Sequence, residues 1–116
     1  MGPAGRINIT LRDWARFAED QLQGELGHGK LLKPETYRLL HTPVADHYAF
    51  GWGVLLDRHG APSLLTHLGS NGYWLAVIRI WPKEGVVQLI AMNAGNKAAN
   101  DAMEEVRKSL QAAQWR

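Results

Sequence analysis

The chain is 116 residues long, 46% hydrophobic and 21% charged, with thirteen basic and eleven acidic residues scattered to a formal charge of +2. That is the composition of one globular domain, 1–116, rather than of a disordered segment, and without a block of like charge nucleic acid is not expected as a partner. It has no cysteine, so disulfides, thiolate metal sites and thiol nucleophiles are excluded. With no apolar run near the ~20 residues that span a bilayer and no signal-peptide pattern after Met1, no membrane association is expected. The expected chain is soluble, and cytoplasmic if Met1 is the true start.

Thr10 followed by Asp13 resembles a helix capping box, and Leu11, Trp14, Ala15, Ala18 and Leu22 then recur at helical spacing, which predicts a helix over 11–22. Gly24, Gly27 and Gly29 end it and read as a surface turn, too irregular for a phosphate loop. Pro34 at a first-turn position with Glu35 behind it predicts a short helix to Leu40, closed by Pro43. From Tyr48 the character changes to strands: 48–56, 64–68, 73–81 and 86–92, separated by turn residues at Arg58–Gly60, Gly69–Gly72 and Pro82–Gly85. Connections this short favour an antiparallel meander. Both alternate sets of the third strand are apolar (Leu75 and Val77; Ala76, Ile78 and Ile80), so it belongs in the middle of the sheet, covered on both faces. Asn96 is a candidate N-cap for a C-terminal helix whose apolar stripe runs through Ala99, Ala102, Met103, Val106, Leu110 and Ala113 and should lie on the sheet. The fold class expected is α+β, with about four antiparallel strands, N-terminal helices and a C-terminal helix packed on them.

Five strings, in order along the chain, resemble the large group of β-lactamase-like serine hydrolases that holds class C β-lactamases, penicillin-binding proteins, esterases and D-amino-acid peptidases. They are Pro3-Ala4-Gly5 with Thr10-Leu11-Arg12-Asp13-Trp14-Ala15-Arg16-Phe17; Leu31-Leu32-Lys33-Pro34-Glu35-Thr36 with Leu40-His41-Thr42-Pro43; Tyr48-Ala49-Phe50-Gly51-Trp52-Gly53; Thr66-His67-Leu68-Gly69-Ser70-Asn71-Gly72-Tyr73; and Ile80-Trp81-Pro82-Lys83-Glu84-Gly85-Val86-Val87 through to Asn93. The resemblance implies the C-terminal part of that fold. The group's chemistry needs a serine whose proton passes to a lysine one helical turn on, Ser-x-x-Lys. Ser63, Ser70 and Ser109 are followed at three positions by Thr66, Tyr73 and Ala112, so that motif is absent. So is the Tyr-x-Asn or Ser-x-Asn motif. No catalytic residue is therefore assigned.

What survives is the third motif, a Lys-Thr-Gly strand that is often His-x-Gly in the esterase-like branch, here His67-Leu68-Gly69. The resemblance implies that His67, Leu68, Gly69, Ser70 and Asn71 line a substrate-binding edge, with His67 facing a small carboxylate or acyl ligand. Inherited strand and turn geometry explains the same residues more cheaply. Leu68 stands where a Gly-x-Ser-x-Gly nucleophile elbow needs glycine, so Ser70 is not read as a nucleophile. No metal or cofactor is expected: the histidines lack ligand spacing, and His28, His41, His47 and His59 read as surface or capping residues. Trp14, Trp52, Trp74, Trp81 and Trp115 are accounted for by core packing and interface burial before an aromatic ligand site.

Three functional readings stay open: a non-catalytic remnant of a serine hydrolase, the cleft-forming part of a complete enzyme whose nucleophile lies on a longer or second chain, and a binding or assembly module. The resemblance also implies that Val86–Met92 lacks its neighbouring strand. That apolar edge, free of proline and charge, predicts a homo-oligomer.

Overall fold

In the computed structural model, which describes Gly2 and residues 5–114, Thr10 opens helix α1 (Leu11–Glu25) with its side-chain oxygen accepting from the Asp13 N–H. The Thr10 hydroxyl in turn donates to the Asp13 carboxylate, a bond between the two side chains in place of the return to the N-cap N–H that completes a capping box. Pro3, Ala4 and Trp115 lie outside the described residues. Helix α2 (Pro34–His41) follows, then strands β1 (Gly53–Leu56), β2 (Pro62–Ser70), β3 (Leu75–Trp81) and β4 (Val86–Met92), and helix α3 (Lys97–Gln114). The strands form one antiparallel sheet in the order β1-β2-β3-β4, so the class is α+β as expected. Two compact units are distinguished: one runs to His67 and takes in Val77–Leu89, and the other comprises Leu68–Ala76 and the chain from Ile90.

Helix α1 ends in a Schellman motif: Gly27 sits at φ +82°, its N–H bonds the Gly24 carbonyl, and the His28 N–H bonds that of Gln23. The glycine segment beyond is more than the surface turn predicted. A Cβ on Gly24 would lie 2.2 Å from the Tyr37 ring and one on Gly29 2.3 Å from it, so the ring, 1% exposed, fills a slot only glycine leaves open. At the end of the slot the Tyr37 hydroxyl donates to Asp20 at 2.5 Å and accepts from the N–H groups of Leu31 and Leu32. One turn along α2, His41 is also buried, contrary to its reading as a surface residue. Its Nδ1 lies 2.5 Å from Glu25 Oε1 and its Nε2 3.1 Å from Gln21 Oε1, and Trp52 packs edge-on against it. Gln21 and Glu25 are four apart, on one face of α1, so a single ring bridges the two helices.

The sequence predicts a strand over 48–56, but only Gly53–Leu56 forms one. Asp46 and His47 both take positive φ (38° and 65°), and Tyr48 N–H bonds Ala45 O at 2.6 Å. This is the geometry of a type I′ turn, built here on Asp-His without the glycine that usually follows the first corner. Gly51 at φ +83° then turns the chain again, with Ala49 N–H on Trp52 O. The third strand likewise starts at Leu75 rather than Tyr73, whereas β2 extends past both expected ends. Between β1 and β2, Asp57 closes the turn by accepting from the Ala61 N–H and next from the His59 N–H, which holds its carboxyl below the usual range.

The first unit's core gathers Ala18, Leu22, Ala49, Trp52, Val54, Leu65, Ile78 and Ile80, with Trp14, Val87 and Leu89 packed against it. Val54 and Leu65 face each other across β1 and β2. Strand β3 is interior to the sheet, and Val77, Ile78 and Ile80 are all buried, which requires cover on both faces. In the second unit the buried residues are Leu75, Ile90, Ala99 and Met103, and Asn96 caps α3 through the Ala99 N–H as expected. Of the α3 stripe only Ala99 and Met103 are buried: Ala102 is exposed, and Val106 and Leu110 remain 45% and 44% exposed.

The Tyr37 slot yields two expectations. Gly24→Ala removes a helix-interior glycine, which by propensity alone should stabilise by ~1 kcal/mol. The clash with the ring should outweigh that and leave a net loss of about 2 kcal/mol, read by urea denaturation. Burial, and next the hydrogen bond to Asp20, push the Tyr37 phenol above the ordinary tyrosine value. The folded state thus holds this proton more tightly than the unfolded chain, and the associated stability is complete below the ordinary value and lost as pH rises past it. The ring resonances of Tyr37 should show its phenol still protonated above the ordinary tyrosine value, and ionisation at that value would contradict the buried hydrogen bond.

Candidate functional site

The segment singled out by sequence occupies the end of β2 and the turn beyond it, and every one of its residues from His67 to Asn71 is exposed. His67 belongs to the first unit and Leu68 to Asn71 to the second. The type I′ turn at Asp46 and His47 delivers Tyr48 beside His67: the phenol oxygen and His67 Nε2 are 3.3 Å apart, with ring centroids at 6.4 Å. A phenol and an imidazole in hydrogen-bond reach offer a donor and an acceptor to an incoming polar group. Sequence reasoning missed Tyr48 because it placed that residue within a strand.

Ser70 and Asn71 have local work. Ser70 Oγ accepts from the Gly72 N–H at 3.1 Å, and Asn71 Oδ1 accepts from the N–H groups of Tyr73 (3.1 Å) and Trp74 (2.9 Å). These are the side-chain turns that serine and asparagine form readily. Gly95 presses on the same turn, where a Cβ would fall 2.7 Å from the Gly72 carbonyl carbon and oxygen. The pinned turn presents Tyr73 and Trp74 to solvent, 78% and 61% exposed. Of the other tryptophans, Trp52 is buried and Trp14 and Trp81 are half-buried. The Ser63 hydroxyl, too, is engaged, donating to the Leu55 carbonyl.

A concave surface lies elsewhere, in the first unit: a groove of about 550 Å³ between α1 and the loop after it, bordered by Phe17 and Leu31 and by the charged or polar side chains of Arg16, Glu19, His28 and Lys30. Nothing in the sequence pattern announces it, because its wall is the glycine-rich segment that folds around Tyr37.

Among the described residues no helix is long and apolar enough to cross a membrane. No protein-family profile matches the chain, and no solved structure does. The chain is 34% identical over 105 residues to Penicillin-binding protein 4 of Amycolatopsis lactamdurans, an alignment covering 81% of this chain and 27% of that protein. It thus spans little more than a quarter of the length of the curated relative it matches, and the similarity supports a penicillin-binding, β-lactamase-like relationship at the level of a partial homologue.

Proposed function

We propose that this chain is a non-catalytic, penicillin-binding-protein-like domain, a part of the serine hydrolase fold that keeps a sheet with flanking helices and lacks the nucleophile. The observation that carries this reading is the similarity to 27% of a penicillin-binding protein in a chain where no serine precedes a lysine by three positions. Acyl transfer needs a hydroxyl activated by a neighbouring base, and the Ser63 and Ser70 hydroxyls are held in backbone hydrogen bonds. The purified chain should therefore leave chromogenic β-lactams and p-nitrophenyl esters unhydrolysed, and should gain no mass on incubation with a penicillin or a fluorophosphonate. A single acyl adduct on one serine, seen by intact mass, would overturn the reading.

A second reading is favoured by the same partial coverage: the chain forms the cleft-side part of a complete hydrolase whose Ser-x-x-Lys portion is carried by a longer or second chain. There the exposed Tyr48 and His67 would face a substrate's carboxylate or acyl group. An in-frame Ser-x-x-Lys segment upstream of the coding sequence, or in an adjacent one, distinguishes this arrangement from the first.

Either way β4 calls for a neighbour. It is the outer strand of the sheet, seven residues long, without charge or proline, and such an edge offers unpaired N–H and C=O groups to another strand. Antiparallel pairing of two copies about a two-fold axis is the simplest closed solution. Val87 and Leu89 pack against the core, so charging them would harm the fold itself, whereas Ala91 is exposed. Sedimentation at micromolar concentration should give twice the 13.0 kDa chain mass and Ala91→Lys should return it to the monomer. A folded wild-type monomer under those conditions would dispose of the edge pairing.

A further inference from the structure

We propose that Asn71 is a site of spontaneous covalent modification: the Gly72 nitrogen closes on the Asn71 side-chain amide to form a succinimide, and the isoaspartate this opens to releases the turn that presents Tyr73 and Trp74. The inference does not depend on the proposed function, because every group it uses lies at the end of β2, in the turn beyond it or at Gly95.

The reaction needs a nitrogen that can reach the side chain before it, and any side chain on the following residue hinders that approach. Asn8, Asn93, Asn96 and Asn100 are followed by Ile9, Ala94, Lys97 and Asp101, whereas Asn71 is followed by Gly72. Gly72 takes φ +87°, and no atom beyond its chain neighbours lies within 4 Å of where its Cβ would stand. Asn71 and Gly72 are both exposed, so water reaches the site.

The turn supplies what the attack requires. Closing the ring puts negative charge on Asn71 Oδ1, and that atom already accepts from the N–H groups of Tyr73 at 3.1 Å and Trp74 at 2.9 Å. Two backbone donors fixed on an oxygen that gains charge act as an oxyanion hole. Nδ2, the leaving nitrogen, has no hydrogen bond among the described residues. The Gly72 N–H donates to Ser70 Oγ at 3.1 Å. Attack uses the electron pair normal to the amide plane, so this contact along the N–H bond leaves the reacting face open.

The bonds balance with water as the other reactant. The Gly72 nitrogen gives its proton to water and bonds Asn71 Cγ; the Cγ–Nδ2 bond breaks, and Nδ2 takes a proton from water and departs as ammonia. One water then opens the ring. Cleavage between the nitrogen and Cγ yields aspartate, and cleavage at the main-chain carbonyl yields isoaspartate, whose backbone runs through Cβ and Cγ. That path adds an atom to a turn with little room for it, since a Cβ on Gly95 would already fall 2.7 Å from the Gly72 carbonyl carbon and oxygen. It also draws Oδ1 into the main chain, so the N–H groups of Tyr73 and Trp74 lose the acceptor that fixes them. The two aromatic side chains, 78% and 61% exposed, then lose their fixed presentation.

The test incubates the full folded chain at pH 8 and 37 °C, beside the same chain in guanidinium chloride, and follows Asn71 by peptide mass mapping. The fragment holding Asn71 should gain about 1 Da and resolve into an isoaspartyl and an aspartyl form, while fragments holding the other asparagines keep their mass. Conversion should be at least as fast in the folded chain as in the unfolded one, since only the fold assembles the two N–H donors. In the isolated isoaspartyl chain the Tyr73 and Trp74 amides should exchange with deuterium about five- to tenfold faster, the size expected of one lost hydrogen bond. In Asn71→Asp, which keeps the acceptor, they should not. No mass gain at Asn71, a comparable gain at the other asparagines, faster conversion in guanidinium chloride, unchanged exchange in the isoaspartyl chain, or equal acceleration in Asn71→Asp would each overturn the proposal.

Discussion

The arrangement of the first unit depends on a tyrosine ring held between two glycines. Tyr37 enters between Gly24, inside α1, and Gly29, in the loop that follows, at distances that admit no side chain on either. A glycine near the end of a helix is unfavourable by itself by ~1 kcal/mol, but here it lets a large ring be buried, a gain of about 1.5–3 kcal/mol for a side chain of this size. The hydroxyl at the tip then organises Asp20 and the N–H groups of Leu31 and Leu32, so one residue sets both the approach of α2 to α1 and the course of the loop between them. His41 repeats the device one turn on with polar contacts, to Gln21 and Glu25, and rests against Trp52 of the core.

The turn after β2 uses the same economy for another end. Ser70 and Asn71, which have the chemistry of a binding edge, hold backbone N–H groups, and Gly95 backs the turn they make. The groups facing solvent there are Tyr73 and Trp74, large aromatic surfaces of the kind that dominate interfaces. Gln88 is the converse case, a buried amide on β4 with neither its oxygen nor its nitrogen hydrogen-bonded to the described residues. An amide so placed forgoes roughly 1–3 kcal/mol, so an apolar side chain of similar length would suit that position at least as well.

Much of this was legible in the sequence where local rules govern. Thr10 with Asp13 marked the start of α1, Asn96 that of α3, and the two apolar sets of β3 gave its central place. Local rules failed where a residue's role depends on a distant partner or on a backbone angle that its type seldom adopts. Asp46 suits the first corner of a type I′ turn, but His47 stands where glycine usually marks the second, so the turn that breaks the predicted strand left only a faint compositional trace. His41 looked like the surface end of a short helix because its contacts with Gln21, Glu25 and Trp52 come from α1 and from the loop before β1. In the candidate site, His67 was singled out by the resemblance of His67-Leu68-Gly69 to a family motif, whereas its neighbour Tyr48 and the groove beside α1 exist only through folding at a distance.

The strand order has a consequence in time. Every strand pairs with its neighbour along the chain, without a crossover, and the links between α1 and α2 close over 16 to 20 residues. Loop-closure entropy rises only with the logarithm of length, and short closures are those that fast-folding chains use. Emerging from the ribosome, each strand from β2 onward would meet a neighbour that had already left the exit tunnel, and β1 would wait only for the strand that follows it.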